Sequence, residues 1–427
     1  STLPLSAFIE PVIDLTRDEA RSVTGGDVYR GDQFPSLNGT YIYGDFATEN
    51  IWSLRRNGAD RPDNSLLGRV PLPAHFGPDT AGELVITSYN AGFFGLSSGA
   101  GDTEEPATLL SATGLFADLD ALTPGSGFIE YAVVEPHWSD GAQQRRWLAV
   151  PPTKTIAFSL DEPWDLPEGS LLLKQLDMPT ADRGVVRLET RLFIRRADGW
   201  QPFTYVWNES QTDATLTTAG TLLNLIVENA DGAPAELNYR VPSQGECLSC
   251  HTAVAGTTLS TNTRQFNRTV DYRVENSTVT QNQIEALNAI SVFSGNVLAN
   301  DSLEDLPAHT PSLAADGSSL SGETLDLGAR SYLAVNCANC HRVGGPTGST
   351  LELRSNQRLA DLRAVDITPE SGNLGLENAR IIAPGSPASS VLLERMKLLN
   401  GERMPPVASN RVDDNGVSVI SEWIESL

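Results

Sequence analysis

The chain has 427 residues, 40% of them hydrophobic, with a formal charge of −24, four cysteines and five histidines. That length allows more than one sizeable core, the composition argues against a disordered chain, and the charge argues against nucleic acid and anionic membrane surfaces as partners. No apolar run is long enough to span a bilayer, and the opening Ser1-Thr2-Leu3-Pro4 reads as a mature or trimmed N-terminus.

Only three of the basic residues are lysines, Lys154, Lys174 and Lys397. An acidic, lysine-poor surface suits a saline habitat or docking to a basic partner, and more simply it is a solvated face that keeps the protein dispersed.

Residues 1–105 read as β-structure. Short alternating stretches at 26–31, 37–46, 50–54, 83–89 and 92–96 are broken by Gly and Asn/Asp turns. The run Thr24-Gly25-Gly26 with Tyr29-Arg30-Gly31, and then Tyr41, Gly44-Asp45-Phe46 and Ile51-Trp52, resembles the last blades of the six-bladed propeller of PQQ-dependent glucose/sorbosone dehydrogenases. The resemblance implies partial β-propeller blades. One or two blades cannot close a ring, and open blade edges are sticky. The expectation is therefore a fragment of a longer protein, a second chain that completes the propeller as a homo- or hetero-oligomer, or blades packed on the downstream part. PQQ is expected only in a missing or partner propeller.

Residues 106–245 form a second β-rich stretch, with strands at 127–134, 146–150, 171–176, 185–195 and 203–207 bounded by Pro, Gly or Asp. A β-sandwich-like domain is the default architecture, and no long helix is expected there.

Residues 246–322 open with Cys247-Leu248-Ser249-Cys250-His251. Residues 281–294 then carry apolar side chains near helical spacing, and 300–322 is a polar linker. Residues 323–427 carry Cys337-Ala338-Asn339-Cys340-His341. A helix is expected from about Leu325 into that motif, and another over 417–427 with Val417, Ile420, Trp423, Ile424 and Leu427 on one face.

The two motifs use all four cysteines in one frame, C-x-x-C-H, the attachment pattern of haem c. Two thiols on one helical turn can reach both vinyl groups of one porphyrin, and the adjoining imidazole then faces the iron. Paired zinc knuckles lie about 15–20 residues apart, much closer than these motifs. A thioredoxin-like pair needs a βαβ context, and two short disulfides are the remaining alternative. The expectation is two covalent haem c groups, held by Cys247, Cys250 and His251 and by Cys337, Cys340 and His341, in a periplasmic or extracellular protein.

Distal ligands follow from residue type. For the second haem the candidate is Met404, in Arg403-Met404-Pro405-Pro406, a proline-stiffened loop just before the last helix. Met396 competes, but it lies in a helical stretch where Met is more often core filler. For the first haem the candidates are Met178, His137, His75 and His309, with Met178 (Asp177-Met178-Pro179) and His137 (Glu135-Pro136-His137-Trp138) preferred, and an open iron as the other outcome. Arg145, Arg146, Arg187 and Arg191 could neutralise haem propionates.

Residues 323–427 look like a compact, α-helical class I cytochrome c domain. Residues 106–427 resemble a family of bacterial dihaem cytochromes found fused or adjacent to PQQ-type sugar dehydrogenase propellers. The carrying segments are Gly114-Leu115-Phe116-Ala117-Asp118, Trp138-Ser139-Asp140-Gly141-Ala142, Arg187-Leu188-Glu189-Thr190-Arg191-Leu192, Tyr205-Val206-Trp207-Asn208, the run from Arg330 to Cys337, and Pro384-Gly385-Ser386 with Arg403-Met404-Pro405-Pro406. The resemblance implies electron transfer with a redox protein partner, a dehydrogenase or another cytochrome. The alternatives are a haem enzyme of peroxidase or oxygenase type with an open first haem, and an electron-conducting extracellular assembly.

Overall fold

The structure is a computed structural model and describes residues 12–17, 20–55, 63–89, 92–96, 106–197, 199–217, 220–229, 231–274, 277–299, 302–314, 318–347, 349–407 and 409–427. Residues 1–4, read above as a trimmed N-terminus, and parts of the expected linker lie outside them. The chain is β-rich, with several antiparallel sheets, none of which closes on itself among the described residues. It divides into two compact units, Ser1–Ala100 and Gly101–Leu427. No helix among the described residues is long and apolar enough to cross a membrane.

The first unit holds a four-stranded antiparallel sheet of β1 (Val23–Val28), β2 (Tyr41–Asp45), β3 (Asn50–Arg55) and β4 (Asp63–Arg69), and a three-stranded sheet of β5 (Pro73–Pro78), β6 (Leu84–Ser88) and β7 (Gly92–Gly95). Alternation puts Ile42, Ile51, Phe76, Leu84 and Ile86 into one core between them. The carboxylate of Asp45 accepts from the backbone N–H groups of Arg21, Ala47 and Thr48, pinning the turn that joins β2 and β3.

The second unit begins with the short pair β8 (Phe116–Asp118) and β9 (Thr123–Pro124). Its centre is a six-stranded antiparallel sheet: β10 (Phe128–Tyr131), β11 (Gln143–Ala149), β12 (Leu171–Thr180), β13 (Gly184–Arg196), β14 (Gly199–Trp207) and β15 (Ala214–Thr217). Both faces are covered, which explains the near-continuous apolar runs. One cross-strand row, Trp147, Leu173, Leu192 and Phe203, faces a core closed by Leu110, Leu115 and Leu122. The next row, Leu148, Leu172 and Phe193, faces the opposite core with Ile156, Trp164, Phe266 and Phe293. There the Trp164 ring lies 4.6 Å from Phe266 and 5.0 Å from Phe293, aromatic contacts that add about 0.5–1.5 kcal/mol each to area burial.

Beyond a bulge at Leu176 and Asp177, the hairpin of β16 (Thr221–Glu228) and β17 (Pro234–Val241) packs around Leu176, Met178 and Leu188. Helix α1 (Gln244–Cys250) follows, then α2 (Thr263–Phe266), the hairpin β18 (Thr269–Val274) and β19 (Ser277–Asn282), and α3 (Gln283–Ala289). The expected linker is not loose. Leu306 enters the core with Phe266, His309 meets the Ser331 hydroxyl, and Ser312 donates to Glu135. Polar residues there satisfy buried partners rather than water.

The C-terminal part is built on α4 (Gly322–Asn336), α5 (Val391–Lys397) and α6 (Asp414–Ser426). Ala329, Tyr332 and Leu333 of α4 pack on Ile420, Trp423 and Ile424 of α6, and the Trp423 indole donates to Asp326 at 2.8 Å. The helices approach closely because residue 416 is glycine: a Cβ there would lie 2.4 Å from the Tyr332 ring.

Candidate haem-attachment sites

The first motif occupies α1 and its C-cap. Ser243 and Glu246 form a capping box: the Ser243 hydroxyl accepts from the Glu246 N–H, and the Glu246 carboxylate accepts from the Ser243 N–H. Glu246 also pairs with Arg240 at 3.1 Å, so the start of the helix is fixed to β17. Cys247, Cys250 and His251 follow within one turn, and the His251 N–H donates to the Cys247 carbonyl.

The chain then tightens into a loop in which Gly256, Thr257 and Leu259 all have positive φ. A Cβ on Gly256 would collide with Pro163, so the loop is seated on residues before α1. This conformation points the Thr257 carbonyl at His251 Nδ1, 2.5 Å away. A carbonyl can only accept, so Nδ1 carries the proton and the ring lone pair is on Nε2. That is the tautomer a metal-ligating histidine needs, held by an outer-shell hydrogen bond. The Phe193 ring lies 4.6 Å from the imidazole, on the face of the sheet that bears Leu148 and Leu172.

The second motif begins where α4 ends, with Cys337 as the C-cap. Asn336 at the last helical position accepts from the Trp138 N–H at 2.8 Å, and Asn339 donates to the Val335 carbonyl at 2.8 Å. His341 is pinned through its carbonyl, which accepts from Leu353 N–H at 3.0 Å. Its Nδ1 is buried with no hydrogen-bond partner, and burial lowers its pKa.

The two motifs meet. Cys340 Sγ lies 4.0 Å from the Ser249 carbonyl oxygen. Arg342, just after the second motif, donates to the Val254 carbonyl in the loop after the first, at 2.8 Å.

Burial pushes the Cys247 and Cys337 thiols up to about 12, so these sulfurs are held uncharged, as thioethers also are. None of the four cysteines is in a disulfide. Among the described residues no group of three or more His, Cys, Asp or Glu side chains is arranged to hold a metal ion. A porphyrin iron takes four ligands from its macrocycle and needs only one or two from the protein. The uncharged thiols of Cys247 and Cys337, the Nδ1-protonated ring of His251 and the buried orphan nitrogen of His341 fit that demand better than they fit a bare ion.

The candidate distal residues separate clearly. Burial lowers His137 to about 3, with the charges of Lys174, Arg191 and His251 adding to the effect, so its imidazole is neutral and close to the first motif. Met178 is 1% exposed and enclosed by Leu176, Val186, Val227 and Tyr239, as core filler. His309 hydrogen-bonds Ser331, and burial lowers it to about 4. His75 is exposed on β5 in the first unit.

Met404 lines a crevice with Trp138, Tyr332, Met396, Leu398 and Asp413. Its N–H donates to the Arg395 carbonyl at 2.9 Å, and its bond to Pro405 is cis. Met396 borders the same crevice but belongs to the core between α4 and α6.

Of the four arginines singled out in the sequence, Arg191 lies near Cys247 and His137, and Arg146 shares the sheet face that carries Phe193. Arg145 pairs with the exposed Glu130 and stacks on Trp147, and Arg187 stacks on Trp207. Two contributors went unnoticed. Lys174 sits between Arg146 and Arg191 in register, and its signal was a lysine inside the apolar run Leu171-Leu172-Leu173-Lys174-Gln175-Leu176. Thr257 acts through its backbone, which leaves no signal in residue type.

Compared with known proteins, the chain matches no family model and no solved structure.

Proposed function

We propose that the protein is a dihaem c-type cytochrome that transfers electrons outside the cytoplasm. The observation that carries this reading is the convergence of two C-x-x-C-H turns, 91 residues apart in sequence at their point of contact. Bound haem supplies one-electron exchange at its iron. Cys247, Cys250, Cys337 and Cys340 would hold the porphyrins, with His251 and His341 as proximal nitrogen donors. His137 would serve the first site as the second protein ligand, and Met404 the second site. Two protein ligands at each site would favour electron relay over ligand activation.

Residues 323–427 are read as a class I cytochrome c domain, supported by the α4–α6 crossing and by a Met-Pro loop that immediately precedes α6. Residues 106–245 are read as sandwich-like, and the two small sheets of the first unit as partial propeller blades. The partner is read as a redox protein, a quinoprotein dehydrogenase or another cytochrome, and the location as periplasmic or extracellular, where haem c matures.

Expression in a host competent to mature c-type cytochromes tests this directly. The intact mass is expected to exceed the bare polypeptide by two haems, and both reduced centres to be low-spin and indifferent to CO. A colourless product of polypeptide mass overturns the proposal. A high-spin, CO-binding first centre favours the haem-enzyme alternative.

A further inference from the structure

The sheet face under the first motif carries an unbalanced row of cations. Arg146 pairs in register with Lys174, Lys174 with Arg191, and Arg191 with Thr204. Two residues along β13 from Arg191, on the same face, Phe193 touches His251. Arg191 is matched: Glu189, fully buried, accepts from it at 2.6 and 2.9 Å and from the Tyr239 hydroxyl at 2.7 Å.

Arg146 is 7% exposed, and among the described residues its guanidinium donates to the Gln144 amide oxygen alone. The Lys174 amine is buried beside Arg146 and Arg191, which disfavour its charge, and near Glu189, which favours it. Two arginines and a lysine whose amine burial holds well below its usual range therefore face one carboxylate, and a further anion on this face would favour the charged form of that amine.

We propose that Arg146, Lys174 and Arg191 form a dicarboxylate-binding row that takes the two propionates of the porphyrin attached at Cys247–His251. This inference rests on the haem reading above and adds what orients that porphyrin. An arginine at the row's end can grip a carboxylate bidentately, and the lysine between the two arginines acts as a point charge shared by both carboxylates. A fixed cation beside the iron also disfavours its oxidised, more positive state, so the row raises the first centre's potential relative to a site without it.

The experiment uses the full chain matured with haem, and follows the two centres separately by magnetic resonance during a redox titration. Lys174→Met is expected to keep both porphyrins attached. At fixed ambient potential it should raise the oxidised-to-reduced ratio of the first centre about tenfold, which is about 59 mV for one electron, and leave the second unchanged. Lys174→Arg should restore the wild-type ratio. Lys174→Gln supplies the same neutralisation if the Met variant does not fold. An unchanged first centre with both porphyrins attached overturns the proposal, as does an equal shift at both centres. A wild-type protein that carries no porphyrin overturns the haem reading and this one together.

Discussion

Cys340 touches the backbone of Ser249: the second cysteine of one C-x-x-C-H turn rests 4.0 Å from the carbonyl of a residue lying between the two cysteines of the other. The Glu135–Asp140 turn is linked to both motifs. His137 sits among the charges of the first motif, while its neighbour Trp138 donates to Asn336 and lines the crevice with Met404. Adjacent residues of one turn, His137 and Trp138, thus lie near the first and the second motif respectively.

Met404→Ala is expected to remove the distal thioether of the second centre alone. Absorption and magnetic resonance spectra should show one high-spin and one low-spin haem. A variant that stays fully low-spin places the ligand elsewhere, with Met396 of the same crevice as the first residue to examine.

His137→Ala should open the first centre and make it bind CO, with the second untouched. Met178→Leu should leave both spectra unchanged, since Met178 is enclosed by apolar side chains and a volume-conserving swap costs under about 1.5 kcal/mol. A spectral change on Met178→Leu, with none on His137→Ala, reverses the assignment.

Gly416→Ala introduces a Cβ 2.4 Å from the Tyr332 ring at the α4–α6 crossing. Overpacking of this kind costs about 1–3 kcal/mol, and it outweighs the better helix propensity of Ala. Denaturant unfolding should show a lower midpoint for the variant. An unchanged or higher midpoint would mean that the crossing relaxes freely.

Asp140 is raised to about 6 by burial, although the Asn410 and Arg411 N–H groups donate to its Oδ1 at 2.8 and 2.9 Å. A carboxyl raised from its ordinary 3.8 is protonated longer in the folded than in the unfolded chain. Its contribution to stability therefore falls as pH rises from about 4 to about 6, and is flat above. Asp140→Asn keeps the accepting oxygen and suits the left-handed φ of 54° at this position. The variant is expected to match the wild type at pH 4 and to exceed it by on the order of 2 kcal/mol at pH 7. Parallel stability curves across that range would contradict the assignment.

The two C-x-x-C-H frames were legible at once, because the pattern lies in contiguous residues. The same locality made α4, α6 and strands such as β2, β3, β6, β12, β13 and β14 readable within a few residues, since apolar periodicity is set by helix and strand geometry, whereas β4, β5 and the hairpins β16–β17 and β18–β19 were not anticipated. The β12 run looked like an ordinary buried strand, and neither Lys174's register with Arg146 and Arg191 nor the placement of the Thr257 carbonyl could be read from residue type. The distal position of the first site stayed open for the same reason. Met178 and His137 are equally plausible donors until the bulge at Leu176 and the hairpin β16–β17 enclose one and leave the other beside His251. Attachment chemistry is encoded in contiguous residues. Which two motifs touch, which donor faces which iron and where unmatched charge collects are pairings between distant segments, and they arise only when the sheet and its covering layers are packed.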